Sequence, residues 1–193
     1  MLFLKDNFLE TSKILSDFLT YDNNYTNLQD VIKLIAERHV SRGKGLICGN
    51  GGSACEAMHY AEELTGRFRK DRKALGAISL TDPSHITCVG NDYGFDNIFS
   101  RGVEAFGQPN DYLIVLSTSG NSNNVIKAVE KAIELKLLTV GLLGKDGGKL
   151  KELVDYSFVV PAQTSDRIQE VHQVIIHSII EGIERLLFIE NYD

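Results

Sequence analysis

His59 and Glu63 stand four residues apart in the segment CGNGGSACEAMHYAEELTG, residues 48–66. On a helix that spacing puts an imidazole and a carboxylate on one face, where both can touch one ligand. A neutral imidazole and a carboxylate suit zinc or a similar divalent ion, and the same pair suits acid and base work on a sugar. With Glu62 beside them they could equally be an ordinary solvated pair. Two turns upstream lie Asn50, Gly51, Gly52 and Ser53, and a second loop of similar character, STSGNS, runs from Ser117 to Ser122. Glycines let backbone amides converge and the following helix N-terminus adds partial positive charge, so each loop can cradle a phosphate; each also fits a plain Ser-capped turn. A third group lies in SDRIQEVHQVIIH, residues 165–177, where Asp166, Gln169, Gln173 and His177 form a polar stripe beside an isoleucine-rich face. His177 reads either as a core histidine with a partner or as a member of the site. His172 and Glu170 read as solvated, as does His39, and nothing in its spacing requires His85 to line a site.

These groups need a scaffold, and the pattern supplies one. Residues 2–42 read as two helices separated by the polar break YDNNYTN. Short β-rich runs then follow at 45–49, 75–80, 111–117, 137–143 and 156–160. Amphipathic stretches separate them at 53–69, 95–106, 122–136 and 148–154, and a last helix is expected over 165–190. Apolar strands alternating with helices predict an α/β fold, a doubly wound five-stranded parallel sheet with helices on both faces. In such sheets ligands bind beyond the carboxyl ends of the strands, which directs attention to loops 49–53, 81–92, 117–122 and 144–148. The chain is expected to form one domain over 1–193, with 1–43 a helical extension and 44–193 the α/β core and last helix.

Competing phosphate motifs fit less well. Gly49, Gly51 and Ala54 match a dinucleotide fingerprint, but the acidic residue wanted about 20 positions on is missing, since Asp82 lies 33 after Gly49. GKDGGKL fails as a Walker A loop, with Leu143 and Leu150 at its two defining positions. The chain has 193 residues and a net charge of −6, so general attraction to nucleic acid or an anionic membrane is not expected. No apolar stretch approaches the ~20 residues of a membrane span. Asp6 and Glu10 interrupt the place of a leader peptide, so the cytoplasm is the expected compartment. Cys48, Cys55 and Cys88 lack metal or disulfide spacing and are expected to be buried free thiols.

Five segments carry a resemblance: CGNGGSACEAMHYAEELTGRF, HITCVGNDYGFDNIFSR, STSGNSNNVIKA, GKDGGKL and DRIQEVHQVIIH. Together they resemble the phosphoheptose isomerases, or sedoheptulose 7-phosphate isomerases, of the sugar isomerase (SIS) domain superfamily, over nearly the whole chain. The resemblance implies a SIS domain, a flavodoxin-like three-layer sandwich with extra N-terminal helices. It implies that Asn50, Gly51, Gly52, Ser53, Glu63, Asn91, Asp92, Ser117, Thr118, Ser119, Ser122, Asp166 and Gln169 bind the substrate. His59, Glu63, Gln169 and His177 would hold one zinc ion per subunit, with Glu63 and His177 catalytic. It further implies a homotetramer with active sites at subunit interfaces, a sugar phosphate substrate, and a place in ADP-heptose supply for lipopolysaccharide core or other surface glycans. Gln169 and His177 are eight residues apart, about 12 Å along a helix and ~80° in rotation, so one ion collects both only through bending side chains.

Two rival readings keep the fold. One is a non-catalytic SIS protein that binds a sugar phosphate or associates with the replication initiator DnaA. Retention of His59, Glu63, Gln169 and His177 argues against it. The other is a sugar-phosphate-sensing transcription factor, which needs a basic helix-turn-helix ahead of the domain. Residues 1–44 hold six Lys plus Arg and six Asp plus Glu, a balance of zero, which disfavours that.

Overall fold

The computed structural model describes residues 3–21 and 23–192. Leu2, where the sequence pattern starts the first helix, and Asp22 in the polar break lie outside the described residues. Helices α1 (Phe3–Thr20) and α2 (Asn24–Val40) precede β1 (Gly45–Gly49) and α3 (Gly52–Thr65). Then come β2 (Ala77–Ser79), α4 (Pro83–Asp92), a 3-10 turn (Phe95–Asn97) and α5 (Ile98–Phe106). The second half holds β3 (Tyr112–Ser117), α6 (Asn123–Glu134), β4 (Leu138–Gly144), β5 (Tyr156–Val160) and α7 (Ser165–Leu187). Short 3-10 turns lie at Lys149–Glu152 and Ile189–Asn191.

The five strands are parallel in the order β2-β1-β3-β4-β5. Strand order therefore reverses between β1 and β3, which is where an open α/β sheet opens a crevice. Alternate residues of each strand feed opposite layers, as a period of two requires. Ile47, Tyr112, Ile114, Leu116, Val140 and Leu142 pack toward α1, α2, α3 and α7. Leu46, Cys48, Leu113, Val115 and Leu143 pack toward α4, α5 and α6. Full burial of each such aliphatic side chain stabilises the sandwich by roughly 1.5–3 kcal/mol.

Several local expectations change. The loop expected at 81–92 is mostly α4, because Asp82 caps it by accepting the His85 N–H at 2.8 Å and Pro83 occupies its first turn. The second strand is shorter than expected, three residues at the sheet edge. Of the cysteines only Cys48 is buried; Cys55 and Cys88 sit on outward faces of α3 and α4. His172 is fully buried, not solvated: its Nε2 lies 3.1 Å from the Leu143 carbonyl, and burial lowers its pKa to about 4. The helical stripe misplaces it because α7 packs against α1, α2, α3 and the sheet at once, which widens its buried arc. His39 is half-buried, with Nε2 3.0 Å from the Tyr112 hydroxyl, and burial lowers its pKa to about 4 as well. Glu170 is exposed, as expected, and accepts from Arg167 and from the Thr11 hydroxyl.

Candidate active site

The loops after β1 and β3 meet across the switch in strand order. Between them lies a cavity of about 290 Å³ lined by Asn50, Gly52, Ser53, Leu116, Ser117, Thr118, Ser119, Ser122, Ser165 and Gln169. The lining is mostly hydroxyls and amides, the donor set an anion needs. Gly120 turns the second loop with φ +64, and a Cβ there would lie 1.9 Å from the Gly147 carbonyl oxygen, so only glycine lets this loop pack against the loop after β4. Ser117 accepts the Gly120 N–H at 3.1 Å, Ser119 accepts the Asn121 N–H at 3.2 Å, and the Thr118 and Ser165 hydroxyls lie 3.1 Å apart. Gly52 opens α3 against Gln169 of α7: a Cβ on Gly52 would stand 2.4 Å from Gln169 Nε2.

One helical stretch further on, α3 and α7 meet again. His59 Nε2 is 3.0 Å from His177 Nε2 and 3.6 Å from a Glu63 oxygen, and the three ligand atoms lie within 4.8 Å of one another. Zinc bonds of 2.0–2.1 Å at tetrahedral angles set ligand atoms about 3.3 Å apart, so these residues fit such an ion by donor type and spacing. His59 Nδ1 lies 3.2 Å from Glu62, a carboxylate behind the imidazole of the kind that orients ligating histidines. His177, expected either as core or as site, is half-exposed toward this cluster, and Gln173 Nε2 lies 2.9 Å from its Nε2. Burial first, then the nearby His59 and Arg69, hold the His177 pKa below the usual imidazole value, which keeps it neutral and able to ligate. Burial first, then the Glu62 charge, raise the Glu63 pKa.

Gln169 lines the cavity from α7. Three other sequence candidates lie outside both groups. Asp166 is exposed in the first turn of α7, its pKa lowered by the Thr164 hydroxyl. Asn91 and Asp92 are exposed at the end of α4, paired with each other at 2.8 Å, and are not among the residues lining the cavity. His85 Nε2 lies 2.9 Å from the Ile98 carbonyl instead of entering the site.

The structure also adds residues that sequence reasoning missed. Ser165 lines the cavity, and Asn124 is tied to Asn50. Arg72 reaches from the loop after α3 to Glu184 on α7 at 2.7 Å, donating also to the Glu63 and Leu64 carbonyls at 2.7 and 2.9 Å. Ser165 and Asn124 directly adjoin motif residues, so proximity to a motif was their signal; Arg72 lies in the basic run RFRKDRK and carried none.

Comparison with known proteins identifies the family. The sequence matches the SIS domain family over residues 8–144, which defines the class of protein as one built on a sugar isomerase domain. A phosphoheptose isomerase of Fusobacterium nucleatum is 59% identical, with 93% of each chain covered. The structure of a phosphoheptose isomerase from Neisseria gonorrhoeae superposes with a TM-score of 0.87 at 38% identity, covering 94% of this chain and 96% of that one. A phosphoheptose isomerase structure from Francisella tularensis gives 0.89 at 33% identity with the same coverage. The chain belongs to the phosphoheptose isomerase family of SIS-domain proteins. It is an isomerase, and the non-catalytic and transcription-factor readings fall away.

Proposed function

We propose that the chain interconverts sedoheptulose 7-phosphate and D-glycero-D-manno-heptose 7-phosphate, with residues 1–193 acting as one SIS domain. The observation that carries this is the pairing of α3 with α7 at two levels, an anion cavity at Gly52 and Gln169 and a His/Glu/His cluster beyond it. Gly52 and His59 are separated by about 10 Å of helix. A substrate with a phosphate at one end and a carbonyl at the other has the form to bridge them. Asn50 to Ser53, Ser117, Thr118, Ser119 and Ser122 hold the phosphate, while Gln169 and Asp166 orient the sugar hydroxyls nearby.

Ketose and aldose differ by a proton moved between C1 and C2 and another moved between their oxygens, through an enediol. Glu63 carries the proton at carbon, and its raised pKa strengthens it as a base once ionised. His177, kept neutral, exchanges protons with the oxygens. A zinc ion on His59, Glu63 and His177, with Gln169 as a further ligand if it swings off Gly52, would polarise the carbonyl and stabilise the developing negative charge.

The proposal includes a homotetramer with active sites at subunit interfaces, one zinc per subunit, and a cytoplasmic role in ADP-heptose supply for lipopolysaccharide core or other surface glycans. Two features support the assembly. Phe8 and Leu9 of α1 are 79% and 58% exposed, an apolar surface suited to burial against another chain. Asn91 and Asp92, exposed and outside the lining of this chain's own cavity, would complete a neighbour's site. Sedimentation equilibrium should give four times 21.4 kDa, and a monomeric mass would remove the tetramer. No helix among the described residues is long and apolar enough to cross a membrane.

The catalytic proposal is tested by an NMR time course with sedoheptulose 7-phosphate in D2O, with zinc and with a chelator. An aldose phosphate deuterated at C2 is expected, with the rate falling when metal is withdrawn. Unchanged ketose in folded, zinc-loaded protein would refute the proposal.

A further inference from the structure

We propose that Asn124 is a positioning residue that clips the two anion loops together and fixes which way the Asn50 amide faces. Backbone pairing between β1 and β3 ends at Gly49 and Leu116. Beyond that rung the chain leaves on opposite faces of the sheet, into α3 on one side and α6 on the other, so no further ladder holds the crevice at a set width. The side chains supply the next tie. Asn50 Nδ2 donates to Asn124 Oδ1 at 2.9 Å and Asn124 Nδ2 donates back to Asn50 Oδ1 at 2.8 Å, across 74 residues of sequence.

The orientation of this ring is dictated from the backbone. The Val125 N–H donates to Asn124 Oδ1 at 3.0 Å, so the oxygen of Asn124 must face α6 and Asn50. Asn124 therefore presents its nitrogen to the Asn50 oxygen, and Asn50 in turn must present its nitrogen to Asn124. Each amide nitrogen carries two hydrogens, and the ring uses one of them. The second hydrogen of Asn50, which lines the cavity, is left as a donor for an anion. Asn124 itself is 2% exposed and does not line the cavity, so it acts on the ligand only through Asn50 and the loop spacing. The resemblance assigns Asn50 to the substrate and is silent on its partner.

This rests on the phosphate reading of the cavity, and inorganic phosphate is the probe that separates the two. Competition by phosphate, KM and kcat for the heptose phosphate, zinc affinity and thermal stability are measured for wild type, Asn50→Ala, Asn124→Ala, Asn124→Asp and the double alanine variant. Asn124→Asp keeps the shape and both acceptor roles but cannot donate to Asn50, so it tests the clip should the buried alanine variant fail to fold. Phosphate binding is expected to weaken about tenfold in Asn124→Ala and further in Asn124→Asp, whose charge opposes the anion. KM rises, kcat stays within about twofold, and zinc affinity is unchanged. The double variant binds no worse than Asn50→Ala, since both remove one device. Wild-type phosphate binding retained in Asn124→Asp, or independent losses that multiply in the double variant, would overturn the clip alone. A wild type that binds no phosphate would overturn the cavity reading and the clip with it.

Discussion

Replacing Arg72 with methionine is expected to lower the free energy of unfolding by about 3–5 kcal/mol, the cost of leaving one member of a buried ion pair alone. The side chains of Arg72 and Glu184 are each 1% exposed. Glu184 takes the Arg72 Nε at 2.7 Å on one oxygen and the Tyr192 hydroxyl at 2.7 Å on the other, so without Arg72 its charge keeps a single neutral donor. The Glu63 carbonyl at the end of α3 loses the Arg72 donor at the same time, while the Leu64 carbonyl keeps the Leu75 N–H at 3.0 Å. A second change, Glu184→Leu in the Arg72→Met background, should restore part of the loss, because an apolar pair carries no desolvation penalty. Urea unfolding of the two variants reads both numbers; a loss below about 1 kcal/mol for Arg72→Met would show that the pair is dispensable.

Glu63→Gln is expected to cut kcat by about 10²- to 10⁴-fold while phosphate still competes for the cavity with wild-type strength. Glutamine keeps the length and one carbonyl oxygen of glutamate, so it retains a ligand atom and loses the base. Zinc content measured on the same sample divides the two roles of this residue. Lost turnover with metal retained identifies the proton carrier; metal lost in proportion to turnover would assign Glu63 to ligation alone and remove it as the base. His177→Asn is expected to reduce both, since His177 stands 3.0 Å from the His59 nitrogen and has no substitute within the cluster.

The parallel sheet was legible because its strands are apolar on both faces and the loops at their ends are rich in glycine and serine. Helix α4 was not, although DPSH holds both of its start signals; a ten-residue helix with Val89 alone buried has too little apolar stripe to register as periodic. His172 was misread for the opposite reason, since α7 is buried over so wide an arc that a polar residue beside the stripe still faces the interior. His59, Glu63 and His177, expected with Gln169 as one metal set, come together in the structure as a possible donor group; helical spacing joins the first two and the family resemblance joined the others. Spacing could not reveal how close Gln169 comes to the start of α3, for that depends on how closely Gly52 lets α7 approach. Arg72 and Asn124 act through partners 112 and 74 residues away, a relation that no local pattern encodes.

The dependence of α3 on α7 also orders events in time. His59 waits for a residue 118 positions later, and Arg72 for one 112 later. Loops of that length close at an entropic cost that only the docked helix repays, and contacts so distant in sequence form slowly. A growing chain can therefore assemble β1, β3 and the loops after them while the His59, Glu63 and His177 cluster does not yet exist. Until α7 docks, the guanidinium of Arg72 has no carboxylate to enter the interior with, so the end of α3 stays open to water. The proposed metal capture would thereby be confined to chains whose last helix is in place.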